Sequence, residues 1–222
     1  MILEPHIEKI PAKTLNRSEQ KLLRKKPGWL SQSWQNAASQ KALQMALRLS
    51  PPPAEVDRCL QLGCRNRTLF NQLLETYPEA FLIGVELNQY SLKETQRLIQ
   101  YREGHWLLLQ AAPQRLNMPS ASIDLIHCHY LLHPHSALHR QAILKEAVRV
   151  LKPGGKLLLS DFITASIWHP PFWRGFGRNH RYSYIGDTET WQETLPDLGM
   201  KVKSQKQLSQ NSINSYIVEA QK

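Results

Sequence analysis

From Val56 onward the chain alternates short apolar runs with stretches of helical spacing. Cys59–Gly63, Ala80–Leu87, His105–Gln110, Ser122–His129 and Lys156–Phe162 are compact, apolar and bounded by turn residues, the pattern of strands buried on both faces. Between them, Thr68–Thr76 reads as a helix. So does the stretch that Asn88 can cap, with Leu92, Thr95, Leu98 and Ile99 at helical intervals. Ser136 can cap a longer helix carrying Leu138, Ile143, Ala147, Val150 and Leu151 on its inner side, which Pro153-Gly154-Gly155 stops. Asp187 can cap a further helix through Trp191 and Leu195. Strand and helix in strict alternation with short links predict a parallel sheet covered on both sides. The last two runs, Met200–Leu208 and Ser212–Ala220, predict an antiparallel hairpin at the sheet edge.

Residues 1–50 differ. Lys9, Lys13, Arg17, Lys21, Arg24, Lys25 and Lys26 crowd a polar segment that Pro27-Gly28 interrupts, and Ser39–Leu49 has helical spacing before Pro51-Pro52-Pro53. The expected organisation is a basic arm with helices over 1–50 and one α/β domain over 51–222. The whole chain of 222 residues carries 28 Lys+Arg against 18 Asp+Glu, a formal charge of +10. That balance favours an acidic partner (RNA, a phosphorylated ligand or an acidic protein face), with a merely basic surface as the alternative. Cys59, Cys64 and Cys128 make an odd count without framework spacing, which points to a reducing, cytoplasmic setting. No stretch approaches the ~20 apolar residues of a membrane span, and the first residues lack the pattern of a signal peptide.

Three passages in fixed order carry a resemblance. They are Gly84-Val85-Glu86-Leu87; Ser122-Ile123-Asp124-Leu125-Ile126-His127-Cys128-His129-Tyr130-Leu131-Leu132-His133; and the helix, Lys152-Pro153-Gly154-Gly155 turn and strand that end at Ser160-Asp161-Phe162. Over roughly 56–162 the chain resembles the class I S-adenosylmethionine-dependent methyltransferases. The resemblance implies a Rossmann-like fold, with a mostly parallel seven-stranded sheet, helices on both faces and a C-terminal antiparallel hairpin. It places any ligand at the carboxyl ends of the strands. It implies S-adenosylmethionine as cofactor, with Gln61, Gly63, Cys64, Arg65, Glu86, Leu87, Ala112 and Cys128 around it. Glu86 takes the position of an acid that accepts two hydrogen bonds from the ribose diol.

Against that pattern, Gln61 stands where an acid is usual, Arg65 and Arg67 where glycines are usual, and Ala112 where an acid meets the adenine amino group. A guanidinium about 4 Å from a sulfonium costs on the order of 4 kcal/mol at an effective dielectric of ~20. Arg65 escapes that cost by turning outward or by pairing with a carboxylate, the cofactor's own included. Three readings result: a methyltransferase with a remodelled cofactor loop, a catalytically inactive scaffold for an acidic partner, or a pocket converted to bind a phosphate.

Histidine supplies the candidate proton acceptors. His129 and His133, at the end of a strand, are the candidate catalytic residues, because imidazole suits proton transfer near neutrality. His127 and His129 share a strand face, and His135 and His139 have the i, i+4 spacing of metal ligands, but no accompanying acid completes a metal motif and none is assigned. Residues 167–184 mix rings with cations. Trp168, Trp173, Arg174, Arg178 and Arg181 there are the candidate substrate-binding residues, suited to a nucleobase, aromatic metabolite or phosphate; the alternative is a packed lid with solvated arginines.

Overall fold

A computed structural model describes residues 7–9, 20, 41–64, 67–133, 135–162, 189–210 and 213–222. Among these residues there are eight strands: β1 (Ile7–Lys9), β2 (Arg58–Leu62), β3 (Phe81–Val85), β4 (His105–Gln110), β5 (Ile123–His129), β6 (Leu151–Phe162), β7 (Lys201–Gln210) and β8 (Ile213–Gln221). They form one sheet in the order β1-β4-β3-β2-β5-β6-β8-β7. Pairs among β2–β6 are parallel, while β8 runs antiparallel to both β6 and β7. Strands β2–β8 are the seven-stranded sheet the sequence predicts. The eighth, β1, adds a three-residue parallel edge beside β4, inside the segment read from sequence as a basic arm.

Helices flank the sheet: α1 over residues 41–49, α2 (Arg67–Thr76), α3 (Gln89–Ile99), α4 (Ala137–Val150) and α5 (Glu189–Asp197). On one face Leu43 and Ala46 of α1, Phe70 and Leu73 of α2 and Leu92 and Ile99 of α3 pack on Cys59, Leu82, Leu125 and Leu158. On the other, Ile143, Leu144 and Ala147 of α4 and Trp191 and Leu195 of α5 cover Leu60, Ile126, Leu157 and Val218. Helix α1 is thus part of the domain core. Two predicted caps hold: Asn88 Oδ1 accepts from Tyr90 N and Ser91 N, and Ser136 Oγ from His139 N. Among the described residues no helix is long and apolar enough to cross a membrane.

The order of strands reverses direction between β2 and β5, which opens a crevice at their carboxyl ends. Close packing beneath it depends on Gly84. A Cβ there would lie 2.7 Å from Leu108 Cδ2, 2.7 Å from Phe70 Cε2 and 2.9 Å from Cys64 Sγ, all in the core. Gly84→Ala is expected to destabilise the fold by about 1–3 kcal/mol through overpacking, read as a lower midpoint in urea denaturation.

Candidate functional site

The turn after β2 is shaped by one glycine. Gly63 has φ +84, a conformation that L side chains avoid, and its N–H donates to Val85 O at 2.8 Å. A Cβ at Gly63 would stand 3.3 Å from Leu131 Cδ1, so the turn is pressed between the end of β3 and the loop after β5. Gln61 Nε2 donates to Gly63 O at 3.0 Å, which ties the turn to its own strand. Cys64 is buried with its thiol in the core; burial, then the Glu86 charge, pushes its pKa well up. Its carbonyl accepts from Thr95 Oγ1 at 3.1 Å. Cys64 therefore shapes the turn through its backbone and is not a reactive thiol. Arg65 and the side chain of Arg67 lie outside the described residues.

Glu86 comes directly after β3 and is nearly buried. Asn88 N donates to its Oε1 at 2.7 Å, so the first turn of α3 holds the carboxylate in place. Leu87 and Ala112, just beyond β3 and β4, make a small apolar cluster of their own. Gln110 Nε2 donates to Leu87 O at 3.4 Å and joins these two strand ends. An oriented carboxylate beside a small apolar surface can take a diol and a flat ring together. Cys128 lies in the core facing α4, its pKa raised by burial and then by Asp161, so only its backbone borders the crevice.

Beyond β5 the two candidate histidines part company. Tyr130 has φ +53, an unusual conformation for a tyrosine, held by its N–H donating to Ser160 O at 2.8 Å. That turn carries His133 to Asp161, which is fully buried. Leu132 N and His133 N donate to Asp161 Oδ2 at 2.7 and 3.0 Å, and His133 Nδ1 lies 2.8 Å from Asp161 Oδ1. A carboxylate on Nδ1 fixes the ring's orientation and its tautomer.

His129 instead belongs to a buried chain on the α1 side of the sheet. Ser50 Oγ donates to Ala46 O at 2.8 Å and lies 3.3 Å from His127 Nε2; His127 Nδ1 lies 3.0 Å from His129 Nε2; His129 Nδ1 meets Ser160 Oγ. Since Ser50 has spent its one proton on a carbonyl, the protons run in a single order. Ser160 gives to His129, His129 to His127 and His127 to Ser50, with one proton per ring. Burial lowers the pKa of His129 to about 4, the Asp161 charge pulling the other way. Burial, then the neighbouring imidazole, lowers that of His127 well below the usual range. Ser50, Ser160 and Asp161 were not legible as site residues, because each partner is distant in sequence. The rings of His135 and His139 lie 6.3 Å apart near the start of α4. Trp168, Trp173, Arg174, Arg178 and Arg181 lie outside the described residues.

Residues 60–159 match a family of proteins described as methyltransferase domain. Over 86 residues, 39% of this chain, the sequence is 35% identical to the ubiquinone/menaquinone biosynthesis C-methyltransferase of Syntrophotalea carbinolica, covering 35% of that protein. Over 103 residues, 46% of this chain, it is 26% identical to the malonyl-[acyl-carrier protein] O-methyltransferase of Legionella pneumophila, again covering 35% of that protein. The match therefore spans about a third of the length of these curated relatives. Among solved structures, the N-methyltransferase NodS from Bradyrhizobium japonicum in complex with S-adenosyl-L-homocysteine superposes with a TM-score of 0.67 at 16% identity. It covers 92% of this chain and 96% of that one, which establishes a common fold.

The histidine chain sets a pH dependence. Unfolded histidines titrate near ~6.5, so below that pH the unfolded chain takes up protons that the folded one refuses. Stability is then complete above pH ~6.5 and falls as the pH drops toward 4, by about 1.4 kcal/mol per pH unit for each imidazole held neutral. Urea denaturation between pH 7.5 and 4.5 checks this, with a shallower slope expected for His129→Gln.

Proposed function

We propose that the chain is a class I S-adenosylmethionine-dependent methyltransferase, binding S-adenosylmethionine at the carboxyl ends of β2, β3 and β4 and catalysing methyl transfer. The observation that carries this reading is the pairing of Gly63, at φ +84, with the pinned carboxylate of Glu86 on the adjacent strand end. The Gly63 turn lets a ligand approach the backbone closely. Glu86 accepts from the ribose hydroxyls, and Leu87 with Ala112 covers the adenine ring. In this reading Gln61 and Cys64 hold the turn, and the backbone of Cys128 closes the crevice from β5. The residues present therefore fit the cofactor in its nucleoside half, even where Gln61 and Ala112 replace acids. A neutral amide and a methyl group cost less to bury than unpaired carboxylates.

When bound, S-adenosylmethionine supplies a methyl group activated by its sulfonium. The protein's part is positioning and proton management. His133, oriented by Asp161, accepts the proton that the methyl acceptor gives up, and Asp161 stabilises the imidazolium that results. His129, with both ring nitrogens engaged and its proton affinity lowered by burial, serves the fold on the other side of the sheet.

Isothermal titration with S-adenosylhomocysteine tests the cofactor site. Binding is expected, and Glu86→Gln is expected to weaken it about tenfold, the loss of a hydrogen bond to a charged group worth roughly 1.5 kcal/mol. No heat at millimolar ligand would leave the inactive-scaffold reading in its place.

A further inference from the structure

The α4–α5 side of the sheet holds two buried polar groups that the cofactor site does not use. Among the described residues, the Tyr216 hydroxyl and the Trp191 indole Nε1 are buried and have no partner at hydrogen-bond geometry. Tyr216 is 0% exposed and Trp191 2%, with ring centroids 5.6 Å apart. Buried donors are nearly always paired in native proteins, so two orphans side by side call for an explanation. Here the surroundings offer one. Tyr216 lies directly opposite Asp161 in the β6–β8 ladder, and Asp161 binds His133. Trp191 stands in the first turn of α5, which leads into β7. Because β7 runs parallel to β6, that first turn sits at the carboxyl end of the sheet. Both donors thus belong to the end where the crevice opens.

The charges nearby narrow the chemistry. Burial, then the Asp161 charge, pushes the Tyr216 pKa well up, so the phenol keeps its proton; the indole of Trp191 and, more weakly, Arg140 pull the other way. Even a long approach of the indole N–H to the phenol oxygen leaves the Tyr216 proton itself without an acceptor. A second anion next to the Asp161 carboxylate in so dry a place would be repelled. A neutral oxygen would not: it can accept from Tyr216 and Trp191 without adding charge.

We propose that Tyr216 and Trp191 form an oxygen-anchoring subsite for the methyl acceptor, which selects an apolar molecule bearing a neutral hydroxyl or carbonyl, such as a phenol or an enol. The subsite deepens the methyltransferase reading and rests on it for the word acceptor; the anchoring itself is independent of it. Leu132 and Leu195, in the same core cluster as the two rings, supply the apolar walls. Tyr216 and Trp191 bind and orient, while His133 alone handles the proton.

The test uses the full chain, with and without saturating S-adenosylhomocysteine, and three aromatic probes: phenol, its near-isostere toluene, and the larger anion benzoate. Ligand-observed NMR titration reads their affinities. Phenol is expected to bind about tenfold more tightly than toluene, the worth of one or two well-placed hydrogen bonds, and benzoate no better than toluene. Tyr216→Phe is expected to bring phenol down to the level of toluene and leave toluene unchanged. It should also raise the thermal midpoint of the probe-free protein, because it removes an orphaned buried hydroxyl. Trp191→Phe should act in the same direction on phenol. Equal binding of phenol and toluene to the unaltered protein, tighter binding of benzoate, or phenol affinity unmoved by Tyr216→Phe would each overturn the subsite. A lower thermal midpoint in Tyr216→Phe would also do so, since it would reveal a partner for the hydroxyl within the fold. Calorimetry with S-adenosylhomocysteine on the same two proteins keeps the two ideas apart. Absence of heat sinks the cofactor reading, whereas the phenol series decides the subsite in either case.

Discussion

A carboxylate with no access to water must find all its partners inside the protein, and Asp161 finds three on the short stretch Leu132–His133. Much of the crevice depends on that demand. The stretch is drawn back over the end of β6, which places Leu131 against Gly63 and so fixes the width of the turn after β2. The same contacts orient the His133 ring, and across the β6–β8 ladder Asp161 faces Tyr216. One buried charge therefore joins the turn proposed to receive the cofactor, the imidazole proposed to move the proton, and the wall proposed to hold the acceptor. Removing it would leave three donors without an acceptor rather than one bond fewer.

The two faces of the sheet divide the polar work. Toward α4 and α5 lies the Asp161–His133 pair with Tyr216 and Trp191. Toward α1 lies the chain from Ser160 through His129 and His127 to Ser50. Ser160 and Asp161 are neighbours on β6, so strand alternation sends one to each face. The α1 chain costs no charge, since every ring carries one proton, and it pins the helix that covers this face of the core. Segment 41–50 is for that reason a structural part of the domain, although it lies before the triple proline and outside the regular alternation of strands and helices.

How much of this could be read from the chain depends on the range of the interaction. The strands, the hairpin and the caps at Asn88 and Ser136 rest on periodicity and on contacts within three residues, and they were legible. The turn at Gly63 and the acid at Glu86 were legible through family resemblance. The different surroundings of His129 and His133 were not. Both end the same strand, and what separates them is Ser50, 77 residues from His127, and Asp161, 28 residues from His133. Strand β1 is too short to show alternation and exists through its pairing with β4. Trp191 and Tyr216 carry no site signal in the sequence, because a missing partner is visible only in three dimensions.

The most direct test of the central claim is a crystal structure of the full chain with S-adenosylhomocysteine. The ribose is expected on Glu86, the adenine between Leu87 and Ala112, and the sulfur beside an unmoved Gly63 turn with His133 still bound to Asp161. A ligand seated elsewhere, or a Leu131–His133 stretch pulled away from Asp161 to admit it, would contradict the account.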